Sequence, residues 1–90
     1  ANEVANRQID LVAGQTILIY VEGHWSFDPI LEVYTPDGYL LNRIDDMGEG
    51  STYDINPRLN LPIDEGGRYT LRVYGYEYTE GAFTLHWNVR

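Results

Sequence analysis

Residues 68–74 have the sequence RYTLRVY, which is the clearest strand pattern in the chain. Tyr69, Leu71 and Val73 take alternate positions, while polar or charged side chains fill the positions between them. Successive side chains of a β-strand point to opposite faces, so this alternation predicts a strand with one face in a hydrophobic core and the other in solvent. A helix would instead need apolar residues at intervals of three and four, and no part of the chain has a convincing pattern of that kind.

The same two-residue period recurs elsewhere in the chain. Residues 15–22 are apolar on both faces, which predicts a central strand. Residues 82–89 predict the last strand, with Thr84, His86 and Asn88 on its outer face. We expect four apolar side chains of the last two strands to lie together in the core: Leu71, Val73, Leu85 and Trp87.

Turn residues mark the ends of two further strands. In the bend at residues 35–38, Pro36 presets φ for a turn, and Gly38 tolerates the positive φ that often follows. A hairpin is therefore predicted between residues 29–34 and residues 39–44. The polar, glycine-containing segment after this hairpin predicts a loop.

The remaining segments complete an all-β pattern. Residues 53–63 also alternate, but Pro57 cannot donate a ladder hydrogen bond, so we expect this segment at a sheet edge or interrupted by a break. A first strand is predicted at residues 7–12, after a flexible segment at residues 1–6. A second hairpin, with its loop at residues 75–81, is predicted to join the last two strands. The whole chain is thus expected to form one jelly-roll-like, two-sheet antiparallel β-sandwich of about seven or eight strands.

The composition fits one small folded domain and restricts its partners. Of 90 residues, 14 are acidic and six are Arg, so the formal net charge of −8 repels nucleic acid and anionic lipid headgroups. No apolar run approaches the roughly 20 residues that span a bilayer, so no membrane insertion is expected. The absence of Cys excludes a disulfide framework and a thiolate metal site. Because the chain begins at Ala1, we expect a processed or excised piece.

Short motifs follow one another over nearly the whole chain. They are residues 13–15 (AGQ), 28–34 (DPILEVY), 36–38 (PDG), 45–46 (DD), 66–73 (GGRYTLRV) and 81–85 (GAFTL). This ordered set resembles the bacterial pre-peptidase C-terminal domain, a jelly-roll-like β-sandwich related to the collagen-binding domains of collagenases. The resemblance implies a non-catalytic module of a secreted or cell-surface protein, which in some members binds calcium or a substrate polymer.

A group of carboxylates suggests a calcium site. Calcium takes six to eight oxygen ligands, and acidic residues in a glycine-containing loop supply them. The candidate ligands are Asp45, Asp46, Glu49 and Asp54, with Asp28 approaching from a neighbouring loop. The alternative is that these side chains accept backbone hydrogen bonds in turns and otherwise face water.

Aromatic residues form the other candidate site. Tyr and Trp offer a large contact area with a polar tip, which suits protein or carbohydrate ligands. The candidates are Trp25 and Phe27 in one loop and Tyr74, Tyr76 and Tyr78 around the predicted second hairpin, with Tyr34 as a further possibility. The alternative is that these rings pack within the sandwich, because aromatic residues favour strands.

The sequence does not predict an enzyme. Paired carboxylates can hydrolyse glycosides, but a chain of 90 residues has little material for a cleft around a sugar. His24 and His86 lie in a predicted loop and on an outer strand face, where a Ser-His pair would need a tertiary coincidence. Two isolated His without Cys also do not make a zinc site.

Two functions stay open from the sequence. The first is a non-catalytic accessory module of a secreted or cell-surface bacterial protein, with a peptidase as one candidate parent, that binds protein or polysaccharide. The second is a purely structural interdomain spacer or self-assembly unit that contacts neighbouring domains or other copies. The edge segment at residues 53–63 would mediate such pairing, although Pro57 weakens it.

Overall fold

A computed structural model describes residues 4–23, 29–44, 58–75 and 83–90. These ranges contain seven strands: β1 (Val4–Leu11), β2 (Thr16–Gly23), β3 (Pro29–Tyr34), β4 (Leu40–Ile44), β5 (Arg58–Pro62), β6 (Gly67–Gly75) and β7 (Phe83–Val89). No helix capable of crossing a membrane occurs within them.

The strands form two antiparallel sheets. The first has four strands in the order β1-β6-β3-β4, and the second has three in the order β5-β2-β7. Every pair within each sheet is antiparallel. This arrangement confirms the predicted all-β, two-sheet sandwich.

The core lies between the two sheets and follows the alternation in the sequence. Tyr69, Leu71 and Val73 on β6 are buried, as predicted, with exposed fractions of 4% or less. They belong to one apolar cluster that also contains Leu11, Ile17, Ile19, Val21, Leu31, Val33 and Ile63. Burying this shared cluster is what holds the two sheets face to face.

Several predicted strand positions are confirmed. β2 is the central strand of its sheet, and β5 is an edge strand, although Pro57 itself lies outside the described residues. β3 and β4 form the predicted hairpin. In its turn the Thr35 N–H donates to the Tyr39 carbonyl over 2.8 Å, and Gly38 has a φ of 87°.

The predicted second hairpin is wrong. β6 belongs to the four-stranded sheet and β7 to the three-stranded sheet, so the two strands do not pair with each other. Alternation shows which side chains face inward but carries no information about which sheet a strand joins. The start of the first strand was also predicted too late, since the pairing of β1 with β6 extends back to Val4, opposite Tyr74.

The predicted burial of Trp87 is wrong as well. Trp87 faces the core side, in register with Ile19, but 41% of it is exposed because β7 is the last strand of its sheet. The Arg7 guanidinium carbon, from β1 of the opposite sheet, lies 5.8 Å from the indole centroid. Leu85, two residues earlier on β7, is partly buried against the core.

Candidate binding surfaces

Of the ten predicted site residues the structure describes only Tyr74, and it also describes the further candidate Tyr34. The other aromatic candidates, Trp25, Phe27, Tyr76 and Tyr78, and the five acidic candidates, Asp28, Asp45, Asp46, Glu49 and Asp54, lie outside the described residues. Within the described ranges, no group of three or more His, Asp or Glu side chains is placed to hold a metal ion. The calcium site therefore stays a prediction.

Tyr74 lies on the outer face of the four-stranded sheet, next to a buried carboxylate. Its hydroxyl donates to Glu32 Oε2 over 3.0 Å, and the Tyr34 hydroxyl donates to Glu32 Oε1 over 2.8 Å. Glu32 is only 7% exposed, although it points away from the sandwich core. The two tyrosines that the sequence suggested as binding residues thus meet at one carboxylate.

Two arginines complete this group. Arg43 Nε lies 3.7 Å from Glu32 Oε2 and donates to the Tyr74 hydroxyl oxygen over 3.3 Å. One terminal nitrogen of Arg72 lies 3.8 Å from Glu32 Oε1, and the Arg72 guanidinium carbon lies 5.4 Å from the Tyr74 ring centroid. We call Glu32, Tyr34, Arg43, Arg72 and Tyr74 the Glu32 cluster.

Most polar groups of the Glu32 cluster interact with one another, although Nε of Arg72 is buried without a hydrogen-bond partner among the described residues. A buried carboxylate is costly unless it is paired and hydrogen-bonded, and here two hydroxyls and two guanidinium groups surround it. The hydrogen bond to Glu32 raises the pKa of the Tyr34 hydroxyl, because loss of its proton would place two anions side by side. Since the hydroxyl of Tyr74 is likewise held by Glu32, the cluster accounts for its position without any ligand.

A second surface lies on the outer face of the three-stranded sheet. Arg58, Tyr20 and His86 are directly opposite one another on its three strands. The Tyr20 and His86 rings stack with centroids 5.5 Å apart, and the Arg58 guanidinium carbon lies 4.7 Å from the Tyr20 centroid. Three flat groups therefore cross the whole sheet in one row.

A parallel row of amides follows two residues along the strands. It consists of Asn60, Leu18 and Asn88, again directly opposite one another on the three strands, so the two amides flank one apolar side chain. On the other side of the aromatic row, Glu22 Oε1 lies 3.3 Å from His86 Nε2. The two rows border an open, shallow depression of about 570 Å³. We call the two rows together the aromatic-amide face.

Sequence reasoning did not find the aromatic-amide face, although it placed His86 and Asn88 on the outer side of the last strand. The period-two pattern puts Tyr20 on the second face of β2 and Asn60 on one face of β5. Their alignment depends on the register between strands far apart in the chain, which only the folded structure supplies.

Neither a family model, nor a curated protein, nor a solved structure matches this chain. Its function is therefore inferred from its own residues.

Proposed function

We propose that this domain is a non-catalytic accessory module of a secreted or cell-surface bacterial protein, and that it binds an uncharged polysaccharide on the aromatic-amide face. The observation that carries this proposal is the row of Arg58, Tyr20 and His86 beside the amides of Asn60 and Asn88. The accessory role is supported by the ordered motifs that resemble the pre-peptidase C-terminal domain, of which a peptidase is one candidate parent.

The chemistry of the aromatic-amide face suits sugar hydroxyls. A hydroxyl both donates and accepts hydrogen bonds, and so do the side-chain amides of Asn60 and Asn88. The flat groups of the aromatic row combine apolar surface with polar tips, which suits a ring that carries both C–H and O–H groups. Because the depression is open, it fits an extended polymer lying across the strands better than a small molecule that must be enclosed.

The charges at the aromatic-amide face favour an uncharged polymer as its ligand. Although the chain carries a formal net charge of −8, the aromatic-amide face contains the guanidinium of Arg58, and the carboxylate of Glu22 lies at its border beside His86. A strongly anionic or cationic ligand would find no matching excess of charge there. Binding should therefore change little between low and high salt, since screening acts on interactions between charges.

The test is isothermal titration with soluble uncharged polysaccharides, after a first screen by affinity electrophoresis. Wild type and the control Gln8→Ala, on the outer side of β1, should bind equally. The double variant Asn60→Ala/Asn88→Ala should bind about tenfold more weakly or worse, because two hydrogen bonds to the polysaccharide are lost. Equal binding by both variants would contradict the proposed site. Binding only to matrix proteins would replace the polysaccharide with a protein ligand.

A structural or self-assembling unit is the second candidate function. The exposed Trp87 at the sheet edge favours it. The edge segment expected to mediate assembly does form an edge, β5, but it carries Arg58 and ends at Pro62, and both features discourage strand pairing.

A further inference from the structure

β7 is an edge strand of the three-stranded sheet, and the backbone groups of Leu85, Trp87 and Val89 have no hydrogen-bond partner among the described residues. Thr16 and Arg90 exchange two backbone hydrogen bonds of 2.9 Å, which sets the phase of the ladder between β2 and β7. Because antiparallel ladders alternate, the backbone groups of Leu85, Trp87 and Val89 point away from β2. They form an open row of donors and acceptors.

The β7 edge also lacks the features that usually prevent strand pairing. Charged side chains and Pro on an edge discourage addition of another strand. Each of the other edge strands carries one: Arg7 and Asp10 on β1, Arg43 on β4, and Arg58 with Pro62 on β5. The sequence of β7, FTLHWNV, has no Pro, Asp, Glu, Lys or Arg. β7 therefore adds no charged side chain of its own to a pairing of two copies, and the charge closest to its Trp87 that the contacts show is Arg7 of β1, 5.8 Å from the indole centroid.

An exposed indole and a cavity lie next to each other on this edge. Trp87 is 41% exposed on the core side of β7. Leu85 is the next residue on the same face of β7. Beside it, a cavity of about 350 Å³ lies between β7 and β1. Its lining residues are Ala5, Asn6, Arg7, Phe83, Thr84 and Leu85.

We propose that two copies of this chain associate by antiparallel pairing of their β7 strands about a two-fold axis at His86. In this register Leu85 lies opposite the partner's Trp87, and Trp87 lies opposite the partner's Leu85. The exposed indole of each copy then enters the cavity beside Leu85 of the other. A two-fold contact must be self-complementary, and β7 carries both the indole and the residue that borders its cavity.

The proposed register pairs the outward backbone groups of β7 and also keeps each side chain on its own face of the sheet. Leu85 and the partner's Trp87 become a pair that exchanges two backbone hydrogen bonds, because the free groups of both residues point outward. The apolar side chains of both strands stay on the core side, and Thr84, His86 and Asn88 stay on the outer side. Two three-stranded sheets then form one six-stranded sheet.

The pairing is independent of polysaccharide binding, although it would place the two aromatic-amide faces side by side. His86 and Asn88 belong both to β7 and to that face, but their side chains lie on the outer side of the sheet, whereas the pairing uses the β7 backbone and the core-side Leu85 and Trp87. A dimer that binds no glycan would refute the proposed function alone, and glycan binding by a strictly monomeric chain would refute the pairing alone.

Sedimentation velocity over a range of concentrations tests the association. Wild type should shift from monomer to dimer, and Trp87→Arg should raise the dimer dissociation constant by about tenfold or more, because it removes a large interface side chain and places a charge on the edge. The matched control Tyr39→Arg, at a position 72% exposed near β4, should dimerise like wild type. A wild type that stays monomeric at all concentrations would overturn the proposal.

Cysteine cross-linking tests the register without depending on the folding of Trp87→Arg. The chain has no Cys, so a single introduced thiol can link only to its counterpart in another copy. At the two-fold position, His86→Cys brings two Cα atoms about 4.5 Å apart, within the range of a disulfide. Thr84→Cys, on the same face, stays about 13 Å from its counterpart because the strands run in opposite directions. Rapid oxidation of His86→Cys alone supports the register, and equal or reversed rates contradict it.

Discussion

The hydroxyl of Tyr74 donates a hydrogen bond to Glu32 across 42 residues of sequence, over 3.0 Å. The bond joins the two central strands of the four-stranded sheet on their outer side, where alternation would leave both residues in solvent. A carboxylate that is only 7% exposed depends on this partner, on Tyr34 and on two arginines. The Glu32 cluster is therefore a second packed layer on the outside of the sandwich, made of polar groups.

Removing the carboxylate should destabilise the protein. We expect Glu32→Ala to lower the free energy of unfolding by about 2 kcal/mol, because two hydroxyls and two partly exposed guanidinium groups lose their shared acceptor. The matched control is Glu65→Ala, at an exposed turn position, which should change stability by less than about 0.5 kcal/mol. Urea unfolding of both variants measures the difference. Equal effects would show that the Glu32 cluster contributes nothing to stability.

Alkaline conditions should destabilise the protein through Tyr34 and Tyr69. The hydrogen bond to Glu32 raises the pKa of Tyr34, and burial raises the pKa of Tyr69. The unfolded chain therefore ionises first, so stability that is complete below about pH 10 is lost as the pH rises through the folded-state pKa values. Urea unfolding at increasing pH should show a shallower decline for Tyr34→Phe than for wild type. The exposed control Tyr39→Phe should follow wild type, and identical slopes for both variants would rule out a role for Tyr34.

A side chain at Gly67 should be poorly tolerated. Gly67 has a φ of 151°, and a Cβ there would lie 2.5 Å from Pro36 Cγ in the turn of the β3–β4 hairpin. Gly14→Ala is the control, since it has a positive φ of 93° but open space around it, and should cost about 1–2 kcal/mol from the backbone alone. Gly67→Ala should cost about 1–3 kcal/mol more, through overpacking.

A double-mutant cycle isolates the contact between Gly67 and Pro36. Gly67→Ala combined with Pro36→Ala should lose less stability than the sum of the single changes, because the nearest atom of the clash is then missing. Thermal unfolding of the four proteins gives the coupling. Strict additivity would mean that the turn moves aside freely.

Calcium should raise the melting temperature if the predicted acidic ligands bind it. A ligand that binds only the folded state stabilises it by an amount that grows with concentration. Asp45→Asn/Asp46→Asn should remove this increase, whereas Asp64→Asn, in the exposed turn before β6, should retain it. Differential scanning calorimetry of chelator-treated protein with added calcium measures the effect. An unchanged melting temperature at millimolar calcium would eliminate the site.

The outer surfaces show how far sequence reasoning extends. The period of two correctly places His86 and Asn88 on the outer side of β7, and Tyr20 on the second face of β2. It does not bring them together, because their register joins strands more than 60 residues apart. The sequence pattern does not predict the burial of Glu32 either. That burial depends on Tyr34 from the same strand and on three residues from the two neighbouring strands: Arg43, Arg72 and Tyr74.

Local alternation was enough to predict the class of the fold and the inward face of β6, where Tyr69, Leu71 and Val73 are buried. The reason is local: the pleat of the backbone makes side chains alternate whatever the strand pairs with. The tertiary structure was needed to show that β6 and β7 lie in different sheets and that Trp87 is exposed on an edge strand. Sheet membership and exposure depend on which distant strands become neighbours, and a local alternation of side chains is the same in either sheet.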